Sequence, residues 1–271
     1  MSGMTLTGYD RFADEYQRWW LPVLAPSTLR LLDELPVDGA ATTLVDVGSG
    51  TGILPVAALA RWPAMRAVAI DASAAMLDIA RRGAKEAGVL DRLETHVADA
   101  ARLPVPDIGA DVVTSSFAIQ LVDDRAGMLA EVLRVLRPGG AFAGVTWRAG
   151  DDPFEPEEVF FDVVDALGIE VPDAGPEPYT YASGTAAADE LSRAGFVAVD
   201  AEEAWIQRQW RPVDYLDLLE HWTADAIFEP LSEEARAGLR ERTLRHFARL
   251  PRRAFAWRAP IVRTAGRRPR A

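Results

Sequence analysis

The chain has 271 residues, 49% apolar and 26% charged, enough to bury one large core, and carries a formal net charge of −12. That balance disfavours phosphate-rich partners, and the absence of any cysteine excludes disulfides, thiolate metal sites, iron–sulfur clusters and cysteine nucleophiles. The longest uncharged run, residues 47–60, contains three glycines and falls short of the roughly 18 apolar residues a membrane span needs; Asp10, Arg11, Asp14 and Glu15 interrupt any apolar leader, so the expected location is cytoplasmic.

In chain order, residues 43–47 read as a short apolar strand and 53–61 as a helix. Residues 67–70 are strand-like, and 73–87 form a helix with Met76, Leu77, Ile79 and Ala80 on one face and Gly88 as its stop. Residues 93–98 and 112–117 are further strands. Asp124 is placed to cap a helix through Leu136, whose buried side is Met128, Leu129, Val132, Leu133 and Leu136. Pro138-Gly139-Gly140 is expected to end that helix, with 141–147 the next strand. Strand and helix alternating at this spacing imply a doubly wound α/β fold, a parallel sheet covered on both faces.

The second half is less regular. Residues 153–167 read as a helix, 171–179 as a proline-rich loop, and 186–194 as a helix ended by Gly195. Residues 196–210 look like a long strand with a bulge near Ala204, 212–250 like continuous helix, and 255–264 like a last strand. The simplest organisation has N-terminal helices over 1–35, an α/β core over 36–210 and 251–271, and a helical cap inserted over 211–250. From Arg236 onward there are twelve arginines and one acid, Glu241, so the rest of the chain is more acidic than its total suggests. This segment is read as a solvated counterweight to the acidic body, with an anionic partner as the sharper alternative.

Asp46-Val47-Gly48-Ser49-Gly50-Thr51-Gly52 is a strand end running into a glycine turn and then a helix. Glycines let the backbone turn sharply and approach a ligand, and a helix N-terminus presents free N–H groups. A bare strand-to-helix turn has the same outline, so the spacing matters. Ile53 stands where a dinucleotide fingerprint needs its third glycine, and no Gly-Lys-Ser/Thr follows, which excludes a P-loop.

The pattern acid-x-Gly-x-Gly-x-Gly resembles that of class I S-adenosylmethionine-dependent methyltransferases. Val68-Ala69-Ile70-Asp71-Ala72-Ser73 looks like the family's second motif, Val97-Ala98-Asp99-Ala100 like its third, and Asp111-Val112-Val113-Thr114-Ser115-Ser116-Phe117 like its fourth strand. Arg134-Val135-Leu136-Arg137-Pro138-Gly139-Gly140 is similar to the stretch before the fifth strand. Tyr9-Asp10-Arg11-Phe12-Ala13-Asp14-Glu15-Tyr16 resembles the opening helix of the ubiquinone/menaquinone-biosynthesis branch.

The resemblance covers residues 44–147 strongly and implies a mostly parallel seven-stranded, Rossmann-like sheet with S-adenosylmethionine as cofactor. It implies Asp46 orienting the loop, Gly48, Ser49, Gly50 and Thr51 beside the methionine part, and Asp71 and Ala72 at the ribose. Asp99 and Ala100 would meet the adenine, and Met76, Ser116 and Tyr16 would complete the pocket.

A sulfonium methyl is already activated, so the protein mainly aligns an acceptor, and a base is needed only for a protonated nucleophile. No Asn/Asp-Pro-Pro-aromatic follows the fourth strand, against methylation of nucleic-acid amines, and no paired-glutamate loop follows it either. No carboxylate cluster suggests a metal site, so no metal is expected. The aromatic-rich late segments suit a small, partly apolar acceptor, with Gln120, Trp147, Tyr179 and Trp222 as its contacts and His221 as a weak candidate for a base. The expectation is therefore methyl transfer to O, N or C of a small metabolite, without nucleic-acid or membrane partners, by a monomer or homodimer. The rivals are a protein of the same fold that uses the cofactor in another reaction, and an anionic-polymer binder acting through its arginine-rich C-terminus.

Overall fold

A computed structural model describes residues 10, 12–37, 42–150, 152–173 and 179–270. Seven strands form one sheet in the order β3-β2-β1-β4-β5-β7-β6. They are β1 (Thr43–Val47), β2 (Arg66–Asp71), β3 (Leu93–Val97), β4 (Ala110–Ser116), β5 (Leu136–Trp147), β6 (Val197–Gln209) and β7 (Ala256–Arg267). The first five pair in parallel; β7 runs antiparallel to both β5 and β6. Because all side chains of Leu44–Val47 are buried, β1 is apolar throughout except for Asp46, as expected of a central strand covered on both faces.

A helical turn α1 (Ala13–Glu15) leads through a π-helical turn, Tyr16–Trp20, into α2 (Leu21–Glu34). Between the parallel strands lie α3 (Ile53–Arg61), α4 (Ala74–Glu86) and α5 (Arg125–Val135). Ser73 caps α4 by accepting from the Met76 N–H, and Asp124 caps α5 by accepting from the Gly127 N–H, each satisfying an end-of-helix donor. Of the opening motif, Tyr9 and Arg11 lie outside the described residues, as does part of the proline-rich loop, residues 174–178.

Four expectations are corrected. Helix α5 stops at Val135 and Leu136 already pairs with Ala110, so Pro138-Gly139-Gly140 lies inside β5; the proline disfavours helical geometry at the residue before it. The irregularity in β6 falls between Val197 and Asp200, where Ala198 has φ +48°, while Ala204 pairs regularly with Ile261. The last strand begins at Ala256 and continues to Arg267.

The fourth concerns the cap. It is not one helix but α8 (Pro212–Leu218), a π-helical turn Leu219–Thr223, α9 (Asp225–Phe228) and α10 (Glu233–Phe247). Ala224 leaves helical geometry, and Pro230 follows the end of α9 before Ser232 caps α10. Helix α6 (Glu155–Ala166) joins this layer, with Phe160 stacked on Phe228 at 5.9 Å and Phe154 edge-on to Tyr215 at 4.9 Å. Helix α7 (Gly184–Ala194) packs on the sheet, ended by Gly195 at φ +107°.

Part of the arginine-rich segment is paired internally, while Arg242, Arg249, Arg252 and Arg253 are exposed. Arg263 pairs with Glu202 at 2.6 Å and Glu34 at 3.3 Å, and Arg258 pairs with Asp152. Arg268 donates to the carbonyls of Leu133, Arg134 and Leu136 at the end of α5. Arg236 and Arg240 hold cap carboxylates.

Candidate active site

The glycine turn sits at the carboxyl end of β1. Gly48, Gly50 and Gly52 all have positive φ, +68°, +52° and +76°, a conformation that opposes a Cβ. A Cβ on Gly48 would also collide with the Ala118 side chain, and one on Gly52 would come within 2.5 Å of Ala80 on α4. Gly50 differs, because a Cβ there would meet nothing within 4 Å. The turn is stitched to β2 by the N–H groups of Gly48 and Ser49, which donate to the Ile70 carbonyl at 2.8 and 3.0 Å.

Asp71, at the end of β2, accepts from the Gly50 N–H at 2.8 Å with one oxygen and from the Ser73 N–H at 2.9 Å with the other. Burial pushes its carboxyl up, opposed by those same two donors, which favour the charged form. Asp71 thus orients the glycine turn, the role expected of Asp46. Asp46 instead accepts from the Thr114 hydroxyl at 2.6 Å, tying β1 to β4, and burial pushes its carboxyl up to about 7.

Asp99 lies just past β3, beside Asp71, since the Ala98 N–H donates to the Asp71 carbonyl at 3.0 Å. Its Oδ1 accepts from the Ala101 N–H at 2.9 Å, and the side chain is exposed. Ala100 is half-buried beside it and Ala72 is exposed beside Asp71. Met76 is buried with Ala13 and Ile79, and Tyr16 packs against this cluster from above.

The N-terminal helix links these parts. Asp10 accepts from the Ser73 hydroxyl at 2.6 Å, which lowers its own carboxyl and anchors the chain beside Asp71. Thr28 and Ser116 share a 2.7 Å hydroxyl–hydroxyl hydrogen bond at the end of β4. The next residue, Phe117, has φ +50°, an unusual conformation for a residue with a Cβ, and its ring lies 4.8 Å from Trp147.

Of the expected acceptor contacts, Trp147 is buried among Phe117 and Trp20. Gln120 is engaged at both ends, donating to the Phe117 carbonyl at 2.6 Å and accepting from the Thr146 hydroxyl at 2.5 Å. Trp222 meets Tyr16 edge-on at 5.5 Å, and His221 stacks on Trp19 at 4.8 Å, so both form a roof with the N-terminal segment. Tyr179 is not brought to that roof; it lies under the Arg125 guanidinium and against Tyr181, on the α5–α7 side of the sheet.

Thr114, Thr28 and Phe117 were given no role from the sequence, whereas Trp19 was among the aromatic residues expected in the cap. Thr114 lies among Asp111, Ser115 and Ser116 in β4, so its polarity did not set it apart.

Inside the glycine turn, the hydroxyls of Ser49 and Thr51 are buried without a hydrogen-bond partner. The hydroxyls of Ser115, Tyr181, Thr223 and Thr243 are in the same condition elsewhere, so the turn is distinguished by its backbone rather than by these two groups. The open space over Gly50 and the carboxylates of Asp71 and Asp99 fit a nucleoside bearing an amino-acid tail. No group of three or more His, Cys, Asp or Glu suited to a metal is found among the described residues.

Residues 44–140, which carry the glycine turn and its acids, match the model of a methyltransferase domain family. The chain is 37% identical over 145 residues to a trans-aconitate 2-methyltransferase of Azoarcus sp. (strain BH72), covering 54% of this chain and 51% of that one. It is 47% identical over 102 residues to the ubiquinone/menaquinone biosynthesis C-methyltransferase of Dinoroseobacter shibae, covering 37% of this chain and 40% of that protein. The chain thus spans about half or less of the length of these curated relatives. Among solved structures, the (4+2) cyclase SpnF superposes with a TM-score of 0.58 at 20% identity, covering 98% of each chain, a likeness of fold. No helix among the described residues is long and apolar enough to cross a membrane.

Proposed function

We propose that this chain transfers a methyl group to a small, partly apolar acceptor held between the sheet edge and the aromatic roof. The observation that carries this reading is the glycine turn, three glycines at positive φ with open space over Gly50, whose N–H is held by Asp71. S-adenosylmethionine, when bound, supplies a methyl group already activated on a sulfonium. The glycine turn would receive its methionine part, Asp71 the ribose hydroxyls and Asp99 the adenine amine; a carboxylate accepting two hydrogen bonds suits a vicinal diol. The Tyr16–Trp222 and Trp19–His221 contacts would close the site and exclude water.

Domain boundaries follow the same division, with the N-terminal segment and cap closing over the α/β core. Relatives act on trans-aconitate and on quinone precursors according to their names, so the acceptor is assigned here by class. The test is calorimetry with S-adenosylhomocysteine. Micromolar-range binding is expected, weakened at least about a hundredfold in Asp71→Ala, since two charge-assisted hydrogen bonds of roughly 1.5–3 kcal/mol each are removed. Unchanged binding by that variant removes the ribose assignment. A second reading is kept by the likeness to a cyclase: the cofactor would be bound but not consumed. Mass spectrometry for a methylated product across a metabolite extract separates the two.

A further inference from the structure

Two π-helical turns, Tyr16–Trp20 and Leu219–Thr223, face each other in the roof. Such turns are rare and recur where a side chain must be re-aimed at a functional site. Across this contact Trp19 and His221 stack with 16° between their planes, and Tyr16 meets Trp222 edge-on. His221 Nδ1 lies 2.8 Å from the Asp217 carbonyl oxygen. A carbonyl only accepts, so Nδ1 carries the hydrogen, and in the neutral ring the lone pair is then on Nε2. The stack sets the plane of the ring and this hydrogen bond sets its tautomer, while Nε2 has no partner among the described residues.

The cap carboxylates Asp217 and Glu220 are matched, while Arg18 lies over the Trp19 ring at 4.8 Å. Arg240 pairs with Asp217 at 2.7 Å and with Glu220, and Arg236 reaches Glu220 at 3.4 Å. The guanidiniums of Arg236 and Arg240 are therefore committed to the cap. The same N-terminal segment that stacks on His221 reaches the floor through Trp20, 6.2 Å from Trp147, and Thr28, bonded to Ser116. An imidazole whose ring plane and tautomer are fixed in an aromatic roof suits a nucleophile that must lose a proton.

Resting on the methyltransferase reading above, the geometry points to His221 Nε2 as the proton acceptor for a hydroxyl group on a flat, aromatic or conjugated molecule. The acceptor's O–H bond breaks and its proton passes to Nε2. The oxygen lone pair forms the bond to the methyl carbon, and the sulfur–carbon bond breaks with its electron pair left on sulfur, giving S-adenosylhomocysteine. The imidazolium then returns the proton to solvent.

The probe is para-nitrophenol, whose ionised form has its own visible absorption, added to the protein saturated with S-adenosylhomocysteine below the phenol's ionisation range. The wild type is expected to bind it and show the phenolate band. His221→Asn keeps a donor for the Asp217 carbonyl but removes Nε2, and His221→Phe keeps the stack on Trp19. Both variants should bind S-adenosylhomocysteine as the wild type does, lose the phenolate band and weaken para-nitrophenol binding about tenfold. The assignment is overturned by an equal phenolate band in the variants, by no binding of para-nitrophenol to the wild type, or by tighter binding of para-nitrobenzoate than of the phenol. A wild type that does not bind S-adenosylhomocysteine overturns instead the reading on which this rests.

Discussion

The glycine turn and the roof above it are held by opposite means. Around the turn, backbone does the work: three glycines at positive φ, two amides on the Ile70 carbonyl, and one carboxylate gripping two N–H groups. In the roof, side chains do it: stacked rings between two π-helical turns, and a carboxylate–guanidinium network behind them. Backbone requirements admit few residue types, whereas ring packing admits many. The turn therefore constrains its residue types more tightly than the roof does.

That contrast breaks most visibly at Gly48. Gly48→Ala places a Cβ against Ala118 in a left-handed conformation, and is expected to destabilise the fold by roughly 2–5 kcal/mol and to abolish S-adenosylhomocysteine binding. Gly50→Ala, with open space around its Cβ, should lose only the roughly 1–2 kcal/mol of backbone strain. Chemical denaturation and calorimetry on the pair check this; equal losses would mean that conformation alone, not the close approach to Ala118, governs the turn.

Beneath the turn, Asp46 provides a pH test. Its carboxyl is raised from the ordinary 3.8 to about 7, so between those values the folded protein holds a proton that the unfolded chain releases. Its contribution to stability therefore falls as pH rises from about 4 to about 7 and is level above that. Asp46→Asn keeps an acceptor for the Thr114 hydroxyl and cannot titrate. It should match the wild type near pH 4 and exceed it by roughly 2–4 kcal/mol near pH 8, read from urea unfolding at both. No growth of the difference with pH would show that Asp46 stays ionised in the fold.

Much of the turn was legible because each feature has one physical reading. A strand-end acid before spaced glycines, and further acids ending β2 and β3, leave few alternatives once the period of strand and helix is known. Which acid does what was less legible: Asp71 rather than Asp46 holds the turn, because that depends on how β1, β2 and β4 align, which spacing does not state. The roof was read as continuous helix. Nothing local to Leu219–Thr223 signals a π turn, whose wider ring depends on packing against Tyr16–Trp20, about two hundred residues earlier in the chain. The composition of the arginine-rich segment was evident, but its partners, such as Glu34, Asp152, Glu202 and the end of α5, come from the whole length of the chain.

The ionic network behind the roof sharpens the contrast at smaller scale. Arg240→Ala leaves Glu220, 8% exposed, with Arg236 alone. The loss should be about 2 kcal/mol, below the roughly 3–5 of an orphaned buried charge, because one guanidinium remains. Hydrogen exchange is expected to quicken over α8 to α10 and not over β1 and β2. Protection lost equally from the glycine turn would mean that roof and turn are one cooperative unit.

The smallest expected effect lies at the seam between the two regions. Thr28 on α2 and Ser116 at the end of β4 share one hydroxyl–hydroxyl hydrogen bond, the point where the N-terminal helix touches the sheet edge beside Phe117. Thr28→Val conserves shape and removes the hydroxyl. Thr28 is 4% exposed while Ser116 is half-buried, so Ser116 can recover a partner from solvent or ligand and the net loss should be about 1 kcal/mol. If the seam only fastens the helix, cofactor affinity should follow stability and stay within about threefold of the wild type. If it also aims Ser116 at the methionine end of the site, S-adenosylhomocysteine binding should fall by more than the stability change accounts for. Calorimetry on Thr28→Val beside Ser116→Ala distinguishes these outcomes, because only an aimed hydroxyl makes the second substitution the more damaging to binding.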